Sequence, residues 1–198
     1  MSAFKVFTNR LHSCLSESHN PHDCASHAAA HLSNLIKDPG FLADCYRVGA
    51  DNEPRANLVY VSPEGLFSVV AFVWQAGQKT CIHDHVCWCV VGVLEGTEEE
   101  TSFRLMHDEN ETWLEPVETR RLHAGHVCQL VPPGEDIHQV KNASKDTAIS
   151  IHVYGTDIGK RGTSINRRFD DLAVYKAKTG TPVSWRDQNL GNETGIYL

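Results

Sequence analysis

Apolar residues near the start of the chain recur at the spacing of an α-helix. Residues 4–15 show this period, and so does an alanine-rich segment over residues 23–36 that stops before an Asp-Pro-Gly sequence. A short third helix is predicted over residues 41–47. The pattern therefore predicts a helical N-terminal segment within residues 1–47.

Beyond residue 55 the pattern changes to short apolar runs separated by turns rich in Pro, Gly, Asn and Asp. Many short strands without alternating helices favour a β-sandwich or barrel. The tail, residues 155–198, is expected to form mostly loops and edge strands. The simplest organisation is one domain over residues 1–198, mainly β with a helical N-terminal cap, whose barrel core covers residues 55–159. The predicted strands are residues 58–61, 67–74, 87–94, 101–106, 127–131 and 148–153.

Composition and charge indicate which kinds of partner this chain is not expected to bind. The chain has 198 residues, 41% of them apolar, and a formal net charge of -7, so it has no basic footprint for nucleic acid or an anionic membrane. No apolar stretch is long enough for a transmembrane helix, and no secretory signal is apparent. The seven cysteines lack the spacing of a disulfide scaffold. We therefore expect a cytoplasmic protein with reduced thiols, whose oligomeric state the sequence leaves open.

The densest chemical signal is the pair His83 and His85 between apolar segments. Residues two apart on a strand project from the same face, so both imidazoles can converge on one metal ion. A pair of surface histidines would give the same spacing. A third candidate, His138, follows a Pro-Pro-Gly turn that leads into another strand. The three histidines are the predicted metal ligands.

The two histidine segments resemble the two motifs of the cupins, which are small jelly-roll β-barrels. The first matches at each fixed position except one, because Cys89 stands where that motif has Glu. Three neutral imidazoles leave a metal ion with its full charge, and a substrate thiolate would supply the missing anion. Asp84 should point to the opposite strand face in a structural role. Alternation puts Cys87 on the face of His85 and Cys89, and the sequence leaves its position unresolved.

A later strand contains Ser150, His152 and Tyr154 in a Ser-x-His-x-Tyr pattern. Together with the three histidines, this pattern resembles the cysteine dioxygenase family of thiol dioxygenases, over about residues 55–159. The resemblance implies an Fe(II) cofactor and two small-molecule partners, a thiol substrate and O2. It also implies that the thiol is oxidised to a sulfinic acid. The electrons come from the substrate, so no nicotinamide or flavin is required.

The resemblance further implies residue roles. Tyr154 would place its hydroxyl near the iron and the substrate, His152 would hydrogen-bond Tyr154, and Ser150 would orient His152. Cys89 lies where it could form a thioether crosslink to Tyr154, and a small buried apolar residue is the equal alternative. These four residues are the predicted catalytic group.

Two arginines are candidates for binding a substrate carboxylate. Arg55 precedes the first strand of the barrel, and Arg161 follows the Tyr154 strand at an offset shorter than that of the 3-mercaptopropionate branch. Arg55 and Cys89 favour L-cysteine as substrate, whereas the surrounding strands look like the 3-mercaptopropionate branch. The choice between the two thiols stays open.

Two other interpretations remain. One keeps the cupin metal site but gives it a non-thiol substrate, as in an isomerase or a carbon dioxygenase. The other is a non-catalytic cupin that senses a small ligand. The loss of the motif glutamate argues against the first, and the Ser-His-Tyr pattern argues against the second.

Overall fold

The computed structural model describes residues 2–134, 136–175 and 182–183. It begins with two helices, α1 (Ala3–Glu17) and α2 (Pro21–Leu35). Ser2 caps α1 by accepting a hydrogen bond from the Lys5 amide, and α2 begins at a proline in its first turn. Both predicted long helices are thus present, with ends that lie within two residues of the predicted ones.

The predicted third helix over residues 41–47 is wrong. Two single 3-10 turns, Pro39–Phe41 and Asp44–Tyr46, lie there instead. Leu42 and Ala43, between the two turns, adopt extended backbone, which prevents one continuous helix.

The rest of the described chain is mainly strand, with one short helix, α3 (Ile158–Arg161). Residues 176–181 and 184–198 of the predicted tail lie outside the described residues. The strands are β1 (Arg55–Val61), β2 (Ser68–Trp74), β3 (His83–His85), β4 (Cys89–Glu95), β5 (Thr97–His107), β6 (Thr112–His123), β7 (Val127–Leu130), β8 (His138–Asn142), β9 (Ala148–Tyr154), β10 (Ile165–Arg168), β11 (Ala173–Tyr175) and β12 (Pro182–Val183).

The strands form two sheets. One has the order β1-β2-β9-β4-β7, and the other has the order β10-β3-β8-β5-β6-β11-β12. The mainly β architecture predicted from the sequence is confirmed. Since β3 and β8 lie in one sheet and β9 in the other, the two halves of the predicted site come from different sheets.

The five-stranded sheet is buried on both faces. One face packs against α1 and α2 through residues such as Leu32, Val90 and Ile151, and the other contributes residues such as Phe72 and Val91 to a separate core. This double burial explains the continuous apolar run of β2. Where α2 crosses β4, the Leu32 side chain lies 2.9 Å from the position that a Cβ on Gly92 would take, so only glycine allows this approach. No helix in the described part of the chain is long and apolar enough to cross a membrane.

Candidate metal centre

His83, His85 and His138 meet at one point. His83 on β3 pairs directly with His138 on β8. Ring centroids of the three pairs lie 4.8 to 4.9 Å apart, and one ligand atom from each residue lies within 4.8 Å of the others. Each residue is at most 4% exposed. The three imidazoles fit a single divalent transition metal of the kind that prefers nitrogen ligands.

Neighbouring oxygen atoms orient the three rings. The Nδ1 atom of His138 lies 2.7 Å from Oε1 of Glu100, and Nδ1 of His83 lies 3.1 Å from the Cys81 carbonyl oxygen. The Asp136 carboxylate accepts a hydrogen bond from the His85 amide at 2.9 Å and lies 3.5 Å from Nδ1 of that ring, without completing a hydrogen bond to it. The contacts at Nδ1 of His83 and His138 leave Nε2 of these two rings to face a metal.

Burial keeps two of these imidazoles in the neutral form that binds metals. Burial is the main cause that lowers the pKa of His83 well below its ordinary value, and the other histidines add to the effect. Burial also lowers the pKa of His85, although Asp136 works against it. Within the described residues, the three histidines form the only group of at least three His, Cys, Asp or Glu side chains with metal-binding spacing. No carboxylate joins that group.

Glu100 stands behind His138 and does not enter the ligand group. Its carboxylate bridges His138 and the Arg120 guanidinium, which lies 2.8 Å away. Burial would raise the pKa of Glu100, yet the contacts with His138 and Arg120 hold it at about 2. Glu100 is therefore ionised, and its carboxylate contacts His138, one of the predicted metal ligands.

Ser150, His152 and Tyr154 form a hydrogen-bonded chain on β9, on the opposite sheet. The Ser150 hydroxyl lies 3.0 Å from Nε2 of His152, and Nδ1 of His152 lies 3.2 Å from the Tyr154 hydroxyl. Nε1 of Trp74 donates to the Ser150 oxygen at 3.0 Å. His152 lies close enough to His138 and His85 for them to lower its pKa, in addition to the larger effect of burial.

Cys89 lies opposite Tyr154 in the β4–β9 pair and in the same core. Burial raises the pKa of both side chains well above their ordinary values. Cys87 lies between β3 and β4, where the strand is interrupted at residues 86–88. Its side chain nevertheless packs against the same core as Cys89 and Tyr154.

The structure separates the two predicted carboxylate-binding arginines. Arg55 on β1 pairs with Val73 on β2, and the Val73 side chain packs on the helical side of the sheet. Ala56, the residue after Arg55, packs on the opposite side, against the inner core. Arg55 is exposed and lies on the wrong face to reach the histidines, because neighbouring strand residues alternate. Arg161 is exposed at the end of α3. Burial raises the pKa of Cys87 to about 11, and the nearby positive charge of Arg161 opposes this rise.

Asp84 points away from the histidines, as predicted. Its carboxylate accepts hydrogen bonds at 2.7 Å from both the backbone amide and Nε of Arg167 on β10. This contact ties β3 to an edge strand and so helps to position the two histidines on either side of Asp84.

Several residues around the site were missed by sequence reasoning. They are Glu98, Glu100, Asp136 and Trp74, all buried. Glu98 and Glu100 had a signal, since two acidic residues at strand spacing follow the Gly96 turn at the end of the first histidine segment. Asp136 and Trp74 had no signal that distinguishes them from turn and core residues.

The barrel of two sheets is that of the cupin class, and the buried cluster of three imidazoles inside it fits a metal centre. The chain matches the family model described as Cysteine dioxygenase type I over residues 48–160, more than half of its length. The protein therefore belongs to the cysteine dioxygenase type I family, as the sequence motifs predicted.

Solved structures with a similar barrel come from several bacteria. A double-stranded β-helix domain protein of Klebsiella pneumoniae is 19% identical, with 58% of this chain and 86% of that chain covered and a TM-score of 0.43. A Cupin 2 conserved barrel domain protein of Salinispora arenicola is 23% identical, with 57% and 84% covered and a TM-score of 0.41. TT1209 of Thermus thermophilus is 21% identical, with 58% and 96% covered and a TM-score of 0.40.

Proposed function

We propose that this protein is an Fe(II)- and O2-dependent thiol dioxygenase that converts a small carboxylate-bearing thiol, L-cysteine or 3-mercaptopropionate, to its sulfinic acid. The observation that carries the proposal is a ligand group of three histidines without a carboxylate, facing the Ser150, His152 and Tyr154 chain. Membership of the cysteine dioxygenase type I family supports it.

His83, His85 and His138 would hold the iron. When bound, Fe(II) supplies a site that lowers the pKa of a substrate thiol and activates O2. A ligand group of uncharged imidazoles favours an anionic substrate, and a thiolate meets that need. The thiol sulfur gives up four electrons to O2 and gains both oxygen atoms, so no further reductant is needed.

The side chains of the protein position the reactants. The Tyr154 hydroxyl, held by His152, provides a hydrogen bond next to the histidine site. Phe72 and Val91 cover the inner side of the β9 chain and exclude water from it. Of the two arginines predicted from the sequence, Arg161 remains the candidate for binding the substrate carboxylate. This contact would hold the carboxylate end of the substrate, opposite its thiol, in a fixed position.

The expected location is the cytoplasm. The seven cysteines are free in the structure, which fits a reducing compartment in which a thiol substrate also persists.

Oxygen uptake tests the proposal. Full-length protein loaded with Fe(II) is supplied in turn with L-cysteine, 3-mercaptopropionate and cysteamine, which lacks the carboxylate, and Zn(II)-loaded protein serves as the control. The proposal predicts thiol-dependent uptake and a sulfinic acid with at least one carboxylate-bearing thiol, with little uptake for cysteamine. Absence of uptake with both carboxylate-bearing thiols would overturn it in favour of a non-thiol substrate or a ligand sensor.

A further inference from the structure

Glu98 is a fully buried carboxyl group at the far end of the β9 hydrogen-bond chain. It is 1% exposed, and neither of its carboxylate oxygens completes a hydrogen bond within the described structure. The Ser150 hydroxyl lies close enough to favour the ionised form of Glu98. A buried carboxyl group without a full set of partners is costly, so its role requires an explanation.

The hydrogen-bonding capacity of Ser150 links Glu98 to His152. A hydroxyl has one proton to donate and two lone pairs to accept with. Trp74 has only a proton to give, so it occupies one lone pair of the Ser150 oxygen. One proton and one lone pair of Ser150 remain, and Glu98 lies beside this hydroxyl without a completed hydrogen bond in the structure. When Glu98 closes that bond, it and His152 take opposite roles, so that one donates to Ser150 and the other accepts from it.

The direction of the hydrogen bonds along Ser150, His152 and Tyr154 then depends on whether Glu98 carries a proton. An ionised Glu98 can only accept, so Ser150 donates to it, Nε2–H of neutral His152 donates to Ser150, and Nδ1 accepts the proton of the Tyr154 hydroxyl. A protonated Glu98 donates to Ser150, which reverses each bond. His152 then donates from Nδ1 to the Tyr154 oxygen, and the Tyr154 proton is free to point elsewhere.

We propose that Glu98 is a positioning residue whose proton sets the direction of the chain through Ser150 and His152, and so decides whether Tyr154 can donate a hydrogen bond into the histidine site. Its consequence for catalysis rests on the proposed function, whereas the direction of the chain does not. Other polar neighbours of the Tyr154 hydroxyl, Cys89 and Ser164, compete for the same proton.

Glu98 has the setting to change its protonation near neutral pH. Burial raises its pKa to about 7, the Ser150 hydroxyl lowers it, and the nearby Glu100 anion raises it. The other ionisable groups around it are the Cys128 thiol on β7, whose pKa is raised by burial and further by both glutamates, and Arg120 on β6, which is paired with Glu100. His152 stays neutral because burial lowers its pKa well below the ordinary value.

Nitrogen NMR of the His152 ring tests the proposal without turnover. Full-length 15N-histidine-labelled protein, loaded with diamagnetic Zn(II), is titrated from about pH 5.5 to about 8.5, and the His152 signals are assigned with His152→Gln. We expect the ring proton to move from Nδ1 to Nε2 as the pH passes about 7. In Glu98→Gln, which has no proton to titrate at this position, the ring proton should keep one position over the whole pH range.

The matched control is Glu99→Gln, because Glu99 lies on the same strand but points outward to Arg121. This variant should titrate like the wild type. A His152 tautomer that does not change in the wild type, or that changes equally in Glu98→Gln, would overturn the proposal. If Glu98→Gln does not fold, Ser150→Ala gives the second comparison, since it removes the link and should abolish the tautomer change.

An activity measurement then separates the two proposals. With a thiol that supports uptake, kcat of the wild type should fall above about pH 7 while kcat of Glu98→Gln should not. If no thiol supports uptake but the tautomer still changes with Glu98, the proposed function fails and the positioning role stands.

Discussion

Cys89 on β4 lies directly opposite Tyr154 on β9, and both side chains are buried in the same core. Directly opposed residues of an antiparallel pair have Cβ atoms only about 4.5–5.5 Å apart. The contact between the thiol and the phenol opposes the rise in the pKa of Cys89 that burial causes, and it adds to the rise in the pKa of Tyr154 that burial causes. The placement favours a covalent link between them over a purely apolar role for Cys89.

We predict that a thioether forms between Cys89 and Tyr154 when the Fe(II)-loaded protein turns over in air. A carbon–sulfur bond replaces one S–H and one ring C–H bond, and O2 accepts the two hydrogens removed. Intact-protein mass spectrometry should show the loss of two hydrogens, and peptide mapping should join the two residues. Cys89→Ala is the control that cannot crosslink, and an unchanged wild-type mass after many turnovers would contradict the prediction.

Removal of one imidazole should abolish metal binding. His83→Ala is expected to reduce the iron content of purified protein to background, because two imidazoles and no carboxylate remain. The control is His27→Ala, since His27 is exposed on α2. The measurement is metal content by mass spectrometry, together with circular dichroism to confirm the fold. Iron retained at the wild-type ratio would refute His83 as a ligand.

Loss of the anion behind His138 should weaken the metal site without removing it. Glu100→Gln keeps the shape of the side chain but removes the charge that contacts Nδ1 of His138 at 2.7 Å. Partners of this kind are typically worth about 10- to 100-fold in metal affinity. Competition with a chelator should reveal a loss of that size, while Glu99→Gln should bind like the wild type. Equal affinity in both variants would show that Glu100 has no effect on the ligand.

Glu98 should also make folding stability depend on pH. Its pKa is about 7 in the folded protein against an ordinary value of 4.5, so the native state holds this proton more tightly than the unfolded chain. The resulting stabilisation is complete below about pH 4.5 and is lost as the pH rises through about 7. A shift of this size corresponds to on the order of 3 kcal/mol. In urea unfolding, the free energy of unfolding of the wild type should fall by that amount relative to Glu98→Gln over this pH interval. If the free energies of unfolding of the two proteins change in parallel with pH, the prediction is wrong.

Much of the fold was accessible from the sequence because burial patterns are local. The periods of α1 and α2 and the apolar run of β2 predicted these elements within a few residues. β6 was missed because it is polar, exposed along much of its length and interrupted by Pro116, next to a bulge in its pairing with β5. Such a strand has no hydrophobic alternation to reveal it.

The histidine cluster was predictable for a related reason. His83 and His85 share a strand face, and the Pro-Gly turn before His138 indicated a second strand that could bring this residue beside them. Arg55 could not be placed in this way. A shift of one residue along β1 reverses the face, and only the pairing with Val73 shows which face it takes. Contacts between sheets, such as Glu98 with Ser150, leave no trace in sequence spacing.

In the proposed reaction, three imidazoles without a carboxylate support transfer of both atoms of O2 to a thiol sulfur. The direct measurement is mass spectrometry of the sulfinic acid formed from L-cysteine or 3-mercaptopropionate by Fe(II)-loaded protein under 18O2. We expect that both sulfinate oxygens carry the label and that His83→Ala forms no labelled product. Disulfide alone, or a sulfinic acid with its oxygens drawn from water, would contradict it.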